Sequence, residues 1–470
     1  MQNRLVIYFH YDPHGVLDAA SRMVLLAMQR VGRVILVTNG TLAAESAAWV
    51  HGASLQLRER QNQGYDVGAY REVLLSLDRQ GVQGLDELVL MNYTLAGPVH
   101  PIEEMFKAMQ ARPELDFWGL SRHYAMRSRR FGGKVPEHLQ SHFLALRPRL
   151  LQSDAFWQYW QKMPLPKSYE ESVILHEVKF TAHFAELGFC WDSYLQTQDL
   201  QGAFVNPLMA CPREMLAKRG CPFFKRRSFF TPYADELRRT DGTAARALYD
   251  YLKEETDYPV DLLLQSLLRT QPLGALAQNL HWHAVLERGH NAETMGEELL
   301  VLRFEPSPTK DAVLRYYLEQ AVQRAQRQRS AVVELFARDP MLAMAAPALP
   351  LWHSAGDWHA AQWRAAYTTL AQLFPDAPLN RETPLPLPAC GWVMVRKSAF
   401  GTKLPEETDP HAIWKLQLLA AQNGWKVTTF EEEAQAAARA ELLSTANQML
   451  HSKPALLHQL ARLVKRSLTR

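Results

Sequence analysis

Arg60-Gln61-Asn62-Gln63-Gly64-Tyr65-Asp66-Val67-Gly68-Ala69-Tyr70-Arg71 sets one acid between two glycines, where a short apolar run gives way to a helix. Glycines let backbone approach a ligand closely and adopt positive φ. The helix that the pattern predicts from near Ala69 turns free N–H groups and the positive end of its dipole toward anything anionic. A phosphate-bearing ligand suits such a turn, although Gly-x-x-x-Gly before a helix also serves plain turn chemistry. Working outward, residues 5–9 read as a buried strand ended by His10-Tyr11-Asp12-Pro13-His14-Gly15, and residues 16–31 have helical periodicity. Strands follow at 34–38, 55–57 and 87–91, with a helix at 70–77 between the last two. This alternation predicts an α/β sandwich with a mainly parallel sheet. Ligands of such sheets bind beyond the carboxyl ends of the strands, where His10, Tyr11, Asp12, Asn39, Asn62, Gly64, Asp66 and Asn92 fall.

The chain has 470 residues, 47% of them hydrophobic, and a formal net charge of +3. It can bury one large core and form two or three domains, and so small a charge argues against a nucleic-acid partner. Four cysteines, Cys190, Cys211, Cys221 and Cys390, lack the spacing of a disulfide framework or zinc site, which predicts a reducing compartment. The apolar run in the first ten residues is too short for a signal peptide, and no uncharged run is long enough to span a bilayer. The expected location is cytoplasmic. Further strands are expected at 117–120, 143–146 and 189–191, and helices at 154–162 and 172–187. Residues 206–232 read as irregular, 244–286 and 310–336 as helical, and 389–396 as a strand of a small C-terminal α/β portion. No internal repeat is visible in the sequence. The expected division is a nucleotide-binding domain over 1–240, a helical region over 241–338, a small α/β region over 339–450 and a basic amphipathic tail helix over 451–470.

Asp12 and Asp66 each sit in a predicted loop after a strand, where they can hold a metal ion or a sugar hydroxyl, or simply make Asx-turns. In the predicted helix over 172–187, Glu177 shares the apolar stripe of Val173, Ile174 and Phe180, whereas Glu170 and Glu171 complement the dipole of the first turn. An acid on a buried face costs free energy unless it has a task or a partner, which makes Glu177 a candidate general base or one half of a structural ion pair. His123 and His142 can bind substrate hydroxyls or make ordinary polar contacts. The run Lys218-Arg219-Gly220-Cys221-Pro222-Phe223-Phe224-Lys225-Arg226-Arg227 can receive a diphosphate or remain a solvated loop. At the C-terminus, a stripe of Leu456, Leu457, Leu460, Leu463, Val464 and Leu468 beside Lys453, Arg462, Lys465 and Arg466 suits an anionic membrane surface, and equally a helix docked on the protein's own core.

Several segments together resemble the rhamnan synthesis protein F family, glycosyltransferase-like proteins of bacterial cell-surface polysaccharide assembly. Phe9-His10-Tyr11-Asp12-Pro13-His14-Gly15 resembles the family's His-Tyr-Asp start, and Val37-Thr38-Asn39 its second strand end. The glycine segment is similar to the family's Glu-Asn-x-Gly-x-Asp-x-Gly-Ala signature, with Gln61 in place of the acid. Gln140-Ser141-His142-Phe143, His176-Glu177-Val178-Lys179-Phe180-Thr181, Cys221-Pro222-Phe223-Phe224-Lys225-Arg226 and Tyr258-Pro259-Val260-Asp261-Leu262 resemble later blocks. The resemblance implies a GT-A-like nucleotide-sugar-binding sandwich, followed by the helical region and the C-terminal α/β portion. It also implies a glycosyltransferase passing rhamnose or another deoxyhexose from a nucleotide sugar to a growing, lipid-linked polysaccharide of rhamnan or O-antigen type, with the C-terminal helix on the cytoplasmic face of the inner membrane. Glu177 then becomes the base and Asp66 a second catalytic acid. His10, Tyr11, Asp12, Asn39, Asn62, Gly64, Asp66, Asn92, Lys225 and Arg226 become donor contacts, and Gln140 and His142 acceptor contacts. GT-A enzymes take Mg2+ or Mn2+ on an acid that the family carries in Asn-Asp-Ser before Gly-Pro. This chain has Asn92-Tyr93-Thr94 there, which leaves the metal ligands unknown and makes Lys225 and Arg226 substitutes for the ion. A transferase-like module that binds or scaffolds glycans without catalysis is the alternative. A nucleotide hydrolase lacks its Walker lysine or Gly-x-Ser-x-Gly elbow.

Overall fold

Seven consecutive residues of β1 (Arg4–His10) and all six of β4 (Glu87–Asn92) are buried, as strands covered on both faces by helices require. They belong to a computed structural model that describes residues 2–131, 133–231, 240–286, 296–305, 309–351, 353–401, 404–405 and 409–451. The chain forms two units, Met1–Leu264 and Gln265–Arg470. In the first, β1, β2 (Arg33–Asn39), β3 (Gln56–Arg60) and β4 are parallel. The short β5 (Leu95–Ala96) follows, then β6 (Phe117–Gly119), β7 (Phe143–Leu146), β8 (Trp191–Ser193) and the short β9 (Phe224–Lys225). The seven-stranded sheet has the order β8-β6-β7-β4-β1-β2-β3, with β7 antiparallel to both neighbours. This mixed, mainly parallel sheet between helices is the expected α/β sandwich. Its edge strand β3 is only partly buried and carries Arg58, Glu59 and Arg60, charges that discourage pairing with another chain.

The core fills with large side chains, among them Phe117, Phe156, Trp160, Phe180 and Phe184, each no more than 1% exposed. Glu87, a buried acid that opens β4, accepts from Arg4 Nε at 2.8 Å and Trp118 Nε1 at 2.7 Å, which offsets the loss of water. Chain order turns around at β1, which pairs with β2 on one side and β4 on the other. A crevice for ligands opens at the carboxyl end of such a switch point.

The second unit has a five-stranded sheet of β10 (His283–Leu286), β11 (Leu299–Arg303), β12 (Leu342–Pro347), β13 (Trp392–Arg396) and β14 (Lys426–Glu432), ordered β10-β14-β12-β13-β11. Residues 283–286, expected to be helical, are a strand. Pairing of His283 to Leu286 with Thr429 to Glu432 overrides the helical preference of Ala284 and Leu286. Residues 389–396 contain the expected strand as β13. The tail over 452–470 lies outside the described residues. Among the described residues no helix is long and apolar enough to cross a membrane.

Candidate functional site

The glycine segment is built tighter than its pattern foretells. Gly64 adopts φ 71°, ψ 18° and caps a helix that runs Tyr65–Val82, so the helix starts at Tyr65 and not near Ala69. Asp66 therefore stands in the first helical turn and not in a preceding loop. Its Oδ1 accepts from the Val67 N–H at 2.9 Å and its Oδ2 from Asn92 Nδ2 at 2.7 Å. Gly68 serves by its lack of a side chain: a Cβ there would stand 2.7 Å from the Gln63 carbonyl oxygen. Arg60, whose side chain is 7% exposed, ties the loop down by donating to Gln63 O at 2.9 Å, to Asn39 Oδ1 and to Glu72 Oε2 at 2.8 Å. Gly68→Ala is expected to push residues 60–64 outward and to destabilise the fold by about 1–3 kcal/mol. Thermal unfolding checks this, and an unchanged melting point contradicts the close approach.

Beyond the carboxyl ends of β1, β2 and β4 lies a cavity of about 910 Å3. Of the residues singled out in the sequence, Tyr11, Asn39, Asn62, Gly64, Asp66, Asn92, His123, Gln140, His142, Glu177 and Lys225 line it. Backbone bonds bring the strand ends together there, with Tyr93 N donating to Phe9 O at 2.9 Å and Asn92 N to His142 O at 3.2 Å. Three candidates are not among the lining residues. His10 is 2% exposed, its Nε2 bonded to Val16 O at 3.1 Å, and burial pulls its pKa down to about 4. Asp12 Oδ1 accepts from His14 N and Val16 N at 2.9 and 3.1 Å, an Asx-turn. Arg226 turns into the protein, where its Nη2 donates to Asp18 Oδ1 at 2.9 Å and to Ser21 Oγ at 2.8 Å.

The helix expected over 172–187 is interrupted by a π-helical turn, Val173–Glu177, a geometry that re-aims side chains. His176 points to the core and bonds Tyr159 OH through Nδ1 at 2.8 Å, while Glu177 faces the cavity. Glu177 Oε2 accepts from Ser141 N at 2.9 Å and Ser141 Oγ at 2.6 Å, and His138 Nε2 stands 3.7 Å from Oε1. Burial raises its pKa, but His138, the Lys225 ammonium and Ser141 together outweigh that and hold it well below the usual 4.5. Because the folded carboxyl ionises below its unfolded value, it adds stability at neutral pH that is lost as pH falls through the folded value. Asp66 is shifted the other way, upward, by burial and by the charge of Glu177, against the Asn92 hydrogen bond. Two carboxylates in one cavity with opposite shifts are suited to different tasks.

Gln140 and His142 form the opposite wall. Gln140 Oε1 accepts from Ser121 Oγ at 2.9 Å. His142 is 2% exposed, its Nδ1 has no hydrogen-bond partner, and burial together with Lys225 pulls its pKa well below 6.5, so the ring is neutral at pH 7. Lys225 is held by β9, which pairs with β5 so that Lys225 faces Leu95. Arg227 also lines the cavity and donates to Tyr169 OH at 3.0 Å. Arg227 closes the basic run expected to receive a diphosphate, although the donor contact was expected of its neighbour Arg226. Lys225 ends β9 and Arg226–Phe229 is a 3-10 turn, so strand alternation offers no rule for which arginine faces the cavity.

Tyr93 lies where an acid was expected, edge-on to His10 with ring centroids 5.5 Å apart, and burial raises its phenol to about 12. It is a neutral phenol at physiological pH. Among the described residues no group of three or more His, Cys, Asp or Glu could hold a metal ion. Tyr93 brings no carboxylate, the cations of Lys225 and Arg227 line the same cavity, and Asp66 and Glu177 are the acids in its lining that could hold Mg2+ or Mn2+.

A family model described as rhamnan synthesis protein F matches residues 34–294. The uncharacterized protein y4gN of Sinorhizobium fredii (strain NBRC 101917 / NGR234) is 24% identical over 205 residues, 43% of this chain and 51% of that protein. The chain thus spans about half the length of the curated relative it matches. Among solved structures, 4-diphosphocytidyl-2C-methyl-D-erythritol synthase from Anaerococcus prevotii is 11% identical, over 37% of this chain and 81% of that one, with a TM-score of 0.25. The glycosyltransferase GlyE of Streptococcus pneumoniae is 14% identical, over 50% of this chain and 53% of that one, with a TM-score of 0.23. Core-mannan synthase A from Aspergillus fumigatus, in a Mn/GDP form, is 9% identical, over 41% and 73%, with a TM-score of 0.23.

Proposed function

Because the chain belongs to the rhamnan synthesis protein F family, we propose that its first unit is a glycosyltransferase acting in polysaccharide synthesis. It passes rhamnose or another deoxyhexose from a nucleotide sugar to a growing, lipid-linked cell-surface polysaccharide. The observation that carries this reading is one cavity uniting an ionised Glu177, the helix start at Asp66 and the cations Lys225 and Arg227. Glu177 takes the proton of the acceptor hydroxyl as that oxygen bonds to the anomeric carbon and the bond from that carbon to the diphosphate breaks. Lys225, Arg227 and the N-terminal end of the Tyr65–Val82 helix take up the charge of the departing diphosphate. Asp66, Asn92, Asn39, Asn62 and Tyr11 bind the donor, with Gly64 letting backbone approach it; His10 and Asp12 support the donor loops from behind. Gln140 and the neutral His142 bind acceptor hydroxyls.

A thermal-shift screen against sugar nucleotides tests the donor half of the proposal. The correct donor is expected to raise the melting point of the full chain and to do so far less for Asp66→Ala. No shift with any sugar nucleotide would sink it. Tyr93 in the place of an acid favours a second reading, a transferase-like module that binds glycans without turnover; a donor shift with no transfer in either EDTA or Mn2+ selects that one. The proposal extends to membrane attachment through the basic tail. Deleting residues 452–470 is expected to reduce sedimentation with anionic liposomes, and unchanged sedimentation rejects the attachment.

A further inference from the structure

The two sheets share a plan that the sequence conceals. Spatial order β8-β6-β7-β4 in the first unit corresponds to β14-β12-β13-β11 in the second, and chain order matches as well: β4, β6, β7, β8 against β11, β12, β13, β14. Strand senses agree. β7 is antiparallel to β4 and β6 while β8 is parallel to β6; β13 is antiparallel to β11 and β12 while β14 is parallel to β12. An arginine clamp recurs too. Arg147, directly after β7, donates to the carbonyls of Met109, Arg112 and Leu115 at 2.6, 2.6 and 3.1 Å, closing the turn between the helix Ile102–Gln110 and β6. Arg396, the last residue of β13, donates to the carbonyls of Phe336, Asp339 and Leu342 at 2.7, 3.3 and 3.0 Å, closing the turn between the helix Arg329–Arg338 and β12.

In the first unit the cavity opens where β6 ends and β7 begins, lined by His123 and Met126 after the one and by Gln140, Ser141 and His142 before the other. The corresponding place in the second unit, after β12 and before β13, is a cavity of about 480 Å3. Leu349 and Pro350 follow β12 in its wall, and Pro388 precedes β13. Beneath lies a closed polar group. Glu431, its side chain 4% exposed, accepts from Arg439 Nε at 3.0 Å on each oxygen and bonds His283 Nε2 at 2.8 Å, while His283 Nδ1 bonds Thr429 Oγ1 at 2.9 Å.

We propose that this cavity is a second binding cleft, which holds an uncharged oligosaccharide stretch of the acceptor. Proline and leucine walls suit the C–H faces of sugar rings, and Arg439 and the Thr429 hydroxyl line the cavity as partners for sugar hydroxyls. The carboxylate of Glu431 cancels the charge of Arg439, so the site lacks the paired cations that a diphosphate needs. The identity of this ligand rests on the function proposed for the first unit.

Gly356 gives a clean test. It lines the cavity from the helix His353–Leu373, and a Cβ built on it meets nothing within 4 Å, so a larger side chain fills the cleft without backbone strain. An α-linked rhamnose trisaccharide and mannotriose, titrated by calorimetry into the full chain, are the probes, with a sugar-nucleotide thermal shift run in parallel. Gly356→Trp is expected to weaken trisaccharide binding at least about tenfold, while Gly356→Ala leaves it unchanged and the sugar-nucleotide shift persists in both. Equal trisaccharide affinity in wild type and Gly356→Trp overturns the second cleft. So does a wild type that shifts with a sugar nucleotide yet binds neither saccharide, an outcome that leaves the transferase reading standing. Saccharide binding lost in Gly356→Trp supports the cleft even where the donor screen fails.

Discussion

Glu177→Gln is expected to lower kcat for sugar transfer by about 10²–10⁴-fold, the contribution of a positioned general base, and to lower the melting point at neutral pH as well, because the ionised carboxylate adds stability there. The amide oxygen of glutamine can still accept from Ser141 N and Oγ, which bond Glu177 at 2.9 and 2.6 Å, so the π-helical turn keeps its anchor. What disappears is the negative charge that the acceptor proton moves to. The pH dependence separates this role from a structural one. Glu177 is held well below the ordinary carboxylate value, so mild acid leaves the base ionised. Asp66, raised above its ordinary value of 3.8, protonates first as pH falls. The acid limb of kcat/KM therefore belongs to Asp66, and Asp66→Asn abolishes that limb while lowering the plateau. A Glu177→Gln enzyme with wild-type kcat rejects the assignment outright.

Arg226→Met is expected to destabilise the first unit by about 3–5 kcal/mol, because it takes the guanidinium from a buried carboxylate. Asp18 and Arg226 are 10% and 9% exposed at their side chains, and Asp18 also caps the helix Ala19–Val31 by accepting from Ser21 N at 2.8 Å. For a domain of this size the loss corresponds to a fall in melting temperature of roughly 6–20 °C. Asp18→Leu combined with Arg226→Met is expected to recover part of it, since an apolar pair avoids the desolvation that the ion pair offsets. A melting point unchanged in Arg226→Met would mean that the pair is solvated. Arg226 thus acts on the fold, and Arg227, one residue on, is the cation presented to the cavity.

Much of the first sheet was legible in the chain. Residues 5–9, 34–38 and 87–91 are runs of Val, Ile and Leu too apolar to face water, and each became a buried parallel strand. Polar residues at their ends, Asn39, Asn92 and the Gly64–Asp66 turn, marked the cleft because an α/β sheet opens there. Less legible was whatever depends on partners distant in sequence. That Asp66 sits inside a helix follows from a left-handed Gly64, a conformation that the pattern allowed without demanding. The inward turn of Arg226 needs Asp18, far away in the chain, and Glu177 faces the cavity, with His176 toward the core, from a π-helical turn with no sequence signature. Likeness between the two sheets is one of strand order and sense, carried by hydrogen bonds, and residue identities do not preserve it.

Glu177 and the cations beside it are expected to suffice for transfer. Sugar transfer from the donor identified by thermal shift, measured with excess EDTA in wild type and Glu177→Gln, tests this in a single comparison. Transfer by the wild type in EDTA, lost in Glu177→Gln, is the predicted result. Transfer that appears only on adding Mn2+ or Mg2+, or that survives in Glu177→Gln, would contradict it.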